Sequence, residues 1–243
     1  MSEKNNKTKS WLNQIVIVFF MLIFLYLIPK VYQFGMANAF YFKSQYYIAK
    51  WIKDQDSFSQ SGFDDAFDAA QRAYLMDSNN AHYLLNFAKI QELGWYYQVY
   101  TPEADQLILL YQQAIDMRPK WPNAYGDYAY SLAFIKQDTQ AAFDALKQGL
   151  SNGSFAKSVH ENVILIGFSF WNDISFSDKQ MTLSSTLILI NSNDQSVYQS
   201  LKSSSLIYNK LSILCSYFEN NPSKLNALGK KRVNQDICSF INF

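Results

Sequence analysis

Apolar positions along this chain fall into two patterns: an unbroken run near the amino terminus and, after it, stripes that recur at helical spacing. The run covers residues 11–28 and is apolar apart from Asn13 and Gln14. At about 1.5 Å per residue it approaches the ~20 residues that cross a bilayer core, with Trp11, Tyr26 and Tyr32 placed as interfacial aromatics. It predicts a transmembrane helix over 11–30 behind a polar cytoplasmic tail, 1–10. Ala37-Asn38-Ala39 has the form of a signal cleavage site, but the apolar run exceeds the roughly 7–15 residues of a signal core and the site lies far beyond it. An uncleaved anchor is the expectation. Lys4, Lys7 and Lys9, against Lys30 and Lys43 on the far side, favour an inside amino terminus. The chain is therefore expected to cross a membrane once, with everything after Lys30 outside the cytoplasm. Later apolar stretches, 163–171 and 187–190, are too short to span.

The clearest stripes flank a corner. Tyr111, Ala114 and Ile115 recur at i, i+3, i+4 and leave Gln112, Gln113, Asp116 and Arg118 to solvent; Tyr125, Tyr128 and Ala129 start a second stripe. Between them Pro119 cannot continue a helix, whereas Pro122 suits a first helical turn. The pattern is a helix, a tight corner and a second helix stacked on the first, and it recurs. Leu107-x3-Tyr111 leads to Pro119, Ala66-x3-Ala70 to Ser78, and Ala142-x3-Leu146 to Ser154, the second-helix half of a tetratricopeptide repeat. Leu84-x2-Phe87-Ala88 and Tyr125-x2-Tyr128-Ala129 supply a degenerate first half. Ala73, Ala114 and Gly149 occupy equivalent positions at intervals of 41 and 35, against about 34 for the ideal repeat. The longer interval places an insertion at 94–101, before a helix start with Thr101 as N-cap and Pro102 at the first position. The expected fold is all-α: an amino-terminal transmembrane helix followed by a tetratricopeptide-like helical solenoid, with repeats over 36–154 and a helical region over 155–243.

Within that last region 155–172 and 181–190 are read as helices. Ser205 is a candidate N-cap for a helix carrying Ile207, Leu211, Leu214 and Phe218, and Asn221-Pro222 is expected to open a last helix through Phe240. A helical hairpin folded at 221–222 would hold Cys215 and Cys238 roughly 16 Å apart along its axis, beyond the ~7 Å Cα limit for a disulfide. Two free thiols follow.

Composition narrows the function. The net charge of +1 shows no excess that would recruit nucleic acid, and 49% hydrophobic residues suffice for a sizeable core. His160-Glu161 begins like a zinc-protease motif, but Ile164 stands where the second histidine belongs, so a helix-surface pair is expected. His82 reads as an ordinary first-turn residue; Asp64, Asp65 and Asp68 read as first-turn acids near the positive helix end. Lys230-Lys231-Arg232 reads as a solvated face. No catalytic residue, metal ligand or cofactor is expected. The aromatic content of 17% is high, and Trp95, Tyr96, Tyr97, Tyr100, Trp121, Tyr125, Tyr128 and Tyr130 exceed what packing two helix pairs requires. Amphipathic rings can hold sugar faces or peptide side chains, and Arg118 can bind a carboxylate in bidentate fashion. The candidate binding residues are Arg118, Trp121, Tyr125 and Tyr128.

Tyr111, Ala114, Ile115, Arg118, Pro119, Trp121, Pro122, Ala124 and Tyr125, behind a single amino-terminal anchor, resemble the VpsP-like family of bacterial exopolysaccharide-biosynthesis proteins. The resemblance is densest over 106–149. It implies a non-enzymatic envelope scaffold or adaptor whose repeats recruit other polysaccharide-assembly proteins, with the inner membrane crossed in a single pass through 11–30 and a periplasmic carboxyl-terminal domain. A carbohydrate-binding module that handles the polysaccharide itself, a generic periplasmic repeat protein, and an enzyme with a hidden carboxylate pair are the alternatives.

Overall fold

The apolar run and the first repeat helix are one element. In the computed structural model, which describes residues 2–239, α1 (Ser2–Lys53) is a continuous helix of 52 residues, about 78 Å at the α-helical rise. Met1 and the expected helix end at Phe240 lie outside the described residues. Pro29 interrupts the backbone bonding of α1 without ending it. From Gln14 to Tyr32 its side chains are exposed apart from Ile23. From Gln33 onward a stripe turns inward, with Ala37, Ser44, Ile48 and Trp51 buried at successive spacings of seven, four and three residues.

That stripe is covered by α2 (Gln60–Met76), whose buried face is Phe63, Ala66, Ala69, Ala70 and Ala73. Alanines at these positions let the two backbones approach closely. Ser59 caps α2 by accepting from the Gly62 N–H at 3.2 Å. Asp64, Asp65 and Asp68 lie past the first turn, contrary to expectation, because the helix begins at Gln60. Asp64 accepts from Gln60 Nε2 at 2.9 Å, and the other two are ion-paired. Asp65 pairs with Lys43 at 3.3 Å and accepts from Tyr47, which together hold its carboxyl below the usual range; Asp68 pairs with Arg72 at 2.9 Å. In α3 (Ala81–Tyr96), Tyr83 packs on Tyr41 of α1 at 5.3 Å and Asn86 hydrogen-bonds Ser44 and Gln45, while Phe87 stacks on Tyr74 of α2. His82 is an exposed first-turn residue whose N–H is received by Asn80.

The chain divides into two compact units, residues 1–90 and 91–243, with the division inside α3. In the second unit, residues 97–103 link α3 to the next helix, with Gln98 at φ 59°, so the first three residues of the insertion expected at 94–101 belong to α3 instead. The following helix, α4 (Ala104–Met117), starts later than Thr101-Pro102, and Pro102 is buried in the approach to it. Then come α5 (Pro122–Phe134), α6 (Thr139–Asn152), α7 (Lys157–Ser169) and α8 (Phe176–Ile190). Short connections force neighbours to fold back: α5 packs on α4 and α6, and α7 on α6 and α8. Alternate helices also meet, α5 on α7 and α7 on α9 (Gln195–Ile207). Pairs whose first helices contact the first helix of the next pair are the tetratricopeptide-like arrangement. Ala114, Ala129, Ala142 and Gly149 sit fully buried at these crossings; a Cβ on Gly149 would come within 3.1 Å of Tyr125 Cβ. Among the described residues no strand occurs.

The carboxyl-terminal end departs most from expectation. Ser205 does not cap a helix but lies buried inside α9, its hydroxyl donating to the Leu201 carbonyl at 2.6 Å. The expected single helix is broken at Asn209, which takes φ 54°, and resumes as α10 (Leu211–Glu219). Pro222 opens only a short 3₁₀ turn, and the last helix, α11 (Ala227–Arg232), begins after Asn226, whose side chain accepts from the Gly229 N–H. It continues as a π-helical turn over Val233–Ile237. Because the linking segment is not helical, α11 seats on α8 and its π turn reaches α10, so no hairpin forms. Cys215 and Cys238 are consequently joined in a disulfide, Cα–Cα 5.1 Å, and the expectation of free thiols is corrected.

Two further expectations fail for the same reason, burial by a helix far away in sequence. Arg232 is buried rather than solvated, donating to the Ile190 and Ser192 carbonyls at 2.9 and 2.6 Å and lying 4.0 Å over the Tyr198 ring. It satisfies the Ile190 carbonyl, which the end of α8 leaves unpaired, and the Ser192 carbonyl just beyond it. His160 is also buried; one ring nitrogen meets the Ser154 carbonyl at 3.0 Å and the other the Ser185 hydroxyl at 2.9 Å, and burial pushes its pKa down.

Candidate functional site

The corner singled out by the sequence is real and tightly braced. The Pro119 carbonyl accepts from the Tyr125 hydroxyl at 2.9 Å and from Asn152 Nδ2 at 3.2 Å, tying the end of α4 to α5 and to the end of α6. Above this brace the Arg118 guanidinium lies 4.4 Å from the Trp121 ring centroid, a cation–π contact on an exposed rim. Tyr125 itself is buried, so its ring packs the crossing.

Beside the corner, α4, α5 and α6 enclose an open groove of about 330 Å³. Tyr125, Leu132 and Ala145 form an apolar floor, and Tyr128 stands at the side with its hydroxyl accepting from Gln112 Nε2 at 2.9 Å. Gln112 and Asp116 on α4, and Asp144 and Gln148 on α6, form two rims. Each rim is an i, i+4 pair, so a carboxylate and a carboxamide stand one turn apart on both sides. Asp144 is partly neutralised by Lys147 at 3.3 Å. The four candidate binding residues thus divide: Tyr125 and Tyr128 line the groove, whereas Arg118 and Trp121 stack on one another at the adjoining corner. The rim residues were missed because the sequence marks them only as the polar side of an amphipathic helix. Polar i, i+4 pairs on two successive second helices are the signal that would have found them.

Such a groove offers acceptors and donors above an apolar floor, which suits a basic or polar peptide segment. Its lining contains no Ser, Thr, Cys or His, hence no nucleophile–base pair of the usual kind. A third carboxylate, Glu92 on α3, is buried, and one of its oxygens accepts from the hydroxyls of Tyr111 and Ser131. This network ties α3, α4 and α5 together, and burial together with the Glu92 charge pushes the Tyr111 hydroxyl far up. Cys215, Cys238 and Glu219 cluster closely enough to suggest metal ligands, but the two sulfurs are bonded to each other.

No protein-family pattern matches the chain, and no curated protein matches it. Among solved structures, the crystal structure of MamA protein is similar over 80% of this chain and 96% of that one, with 18% identity and a TM-score of 0.43.

Proposed function

We propose that this protein is a non-enzymatic, membrane-anchored scaffold or adaptor of the bacterial envelope that supports exopolysaccharide biosynthesis or export by recruiting other polysaccharide-assembly proteins. The observation that carries the reading is the groove: two acidic rims over an apolar floor, built on tetratricopeptide-like helices and opening beside the Arg118–Trp121 corner. The resemblance over 106–149 covers the residues that form it. An anchor in the inner membrane agrees with the exposed apolar half of α1, and signal cleavage after Ala39 would cut through a helix whose Ala37 is packed against Ala73 and Tyr83. The lysine-rich tail and the Cys215–Cys238 disulfide both favour a periplasmic domain, since disulfides persist in oxidising compartments.

Protein is favoured over polysaccharide as the ligand because the rings a sugar would stack on are engaged. Tyr125 is buried, and Arg118 covers one face of Trp121. The test is site-specific photo-crosslinking from Gln148 in living cells, with exopolysaccharide yield measured at matched protein level. A discrete protein adduct that Asp116→Lys with Asp144→Lys removes, together with a lower yield, is the expected result. An adduct to polymer alone would transfer the reading to a carbohydrate-binding module. Unchanged adducts and normal yield would reject the groove as the recruiting site.

A further inference from the structure

The two halves of α1 meet without a spacer, and this fixes the depth of the first unit. The predicted span ends at Lys30, and three residues further on the Gln33 side chain is bonded to α2, donating to the Met76 carbonyl. Three residues of helix are about 4.5 Å, whereas each polar layer of a bilayer is roughly 5–7 Å thick, taking a ~30 Å core within ~40–45 Å overall. Gln33, and with it the last turn of α2, therefore lies inside the headgroup layer. The surface there has the right character. Leu75 is 69% exposed, directly before Met76, and Val31, Tyr32 and Phe34 are 68%, 69% and 50% exposed at the same level of α1. Exposed Leu and Tyr at one height suit the acyl–headgroup boundary, and the polar turn Asp77-Ser78-Asn79-Asn80 suits the headgroups.

We propose that the end of α2, centred on Leu75 and the turn after it, is a second membrane-contacting element, seated in the interfacial layer of the bilayer that α1 crosses. The proposal rests on the anchor reading. A helix pair touching lipid at two points is held against tilting in a way that a lone span is not.

The test is electron paramagnetic resonance depth measurement on the full chain in phosphatidylcholine–phosphatidylglycerol vesicles, with the native disulfide kept oxidised. A nitroxide is placed singly through Val18→Cys, Leu75→Cys, Asn79→Cys or Ile52→Cys. Ile52 is exposed and lies 22 residues beyond Lys30, about 33 Å further along the helix, so it reports water. The expected result is that position 75 collides severalfold less often with a water-soluble nickel complex than position 52 does, while remaining accessible to oxygen, and that position 79 falls between them. Position 75 behaving like 52 while 18 reports lipid would overturn the proposal and leave the anchor standing. Loss of both nickel and oxygen access at 75 would put a protein contact there and also overturn it. A water-exposed position 18 would remove the anchor reading and the proposal together.

Discussion

The helices from α4 to α7 and the segment from α9 onward are both packed, but by different means. In the first region small residues make the crossings: Ala114, Ala129, Ala142 and Gly149 are buried, and a Cβ added to Gly126 would come within 3.0 Å of Asn162 Nδ2. Each contact joins helices adjacent in the repeat order. In the second region an apolar cluster that includes Leu201, Leu214, Phe218 and Ile237 is supplemented by polar and covalent fastenings that join distant segments. Arg232 reaches back to Ile190 and Ser192, Asp236 receives Lys202 at 2.7 Å and the Tyr198 hydroxyl at 2.6 Å, and Cys238 is bonded to Cys215. Burial, reinforced by the hydrogen bond to Asp236, pushes the Tyr198 hydroxyl well up, while Lys202 and Tyr198 hold Asp236 down. A repeat can be extended by copying a local rule, whereas an end must be closed by interactions the rule does not contain.

The comparison breaks most severely where a glycine of α7 lies directly against a side chain of α8. A Cβ on Gly167 of α7 would lie 2.1 Å from Thr182 Oγ1, a buried hydroxyl already donating to the Asp178 carbonyl. Gly167→Leu is expected to cost about 3 kcal/mol or more by overpacking, read as loss of a cooperative thermal transition and of soluble yield. Next in size is the disulfide. Replacing both Cys215 and Cys238 by Ser is expected to cost about 3 kcal/mol, given the 23-residue separation. Hydrogen exchange should locate the loss in α10 and α11, with α5 and α6 nearly unchanged; equal loss in both regions would erase the distinction drawn above.

Acid sharpens the same distinction. Burial depresses the folded pKa of His160 below its usual 6.5, so the unfolded chain binds the extra proton first. The stability that His160 confers is complete above about pH 6.5 and falls as pH drops towards the folded value. His160→Gln should flatten that slope in chemical denaturation between pH 7 and 5; an unchanged slope would assign it to other groups. The smallest effect is expected at the corner. Arg118→Ala removes an exposed cation–π contact and should change stability by less than about 0.5 kcal/mol, leaving any loss of partner crosslinking attributable to recognition.

Legibility in the sequence follows the same division. The stripes through Ala66, Tyr111, Ala129 and Leu146 encode their own helices and their neighbours' positions, so the pairs, the corner and the insertion were readable. Nothing near Arg232 or Cys238 announces Ile190 or Cys215 as a partner, because those contacts are chosen by where α11 crosses α8. His160 was misjudged similarly: its Glu161 neighbour suggested a surface, while the covering group, Ser185, is 25 residues away. At the candidate site the aromatic side chains were visible, but their engagement by Pro119 and Arg118, and the acidic rims opposite one another, depend on stacking between repeats.

The unbroken passage of α1 from apolar run to packed stripe also sets a phase. With 3.6 residues per turn, one residue inserted or deleted between Lys30 and Gln33 would turn the span by about 100° against the stripe and move it by about 1.5 Å. Substitutions there leave the phase untouched, whereas length changes rotate Leu75 towards or away from the lipid around a given face of the span. In a lineage of such proteins the few residues after Pro29 would tolerate changes of letter far better than changes of number.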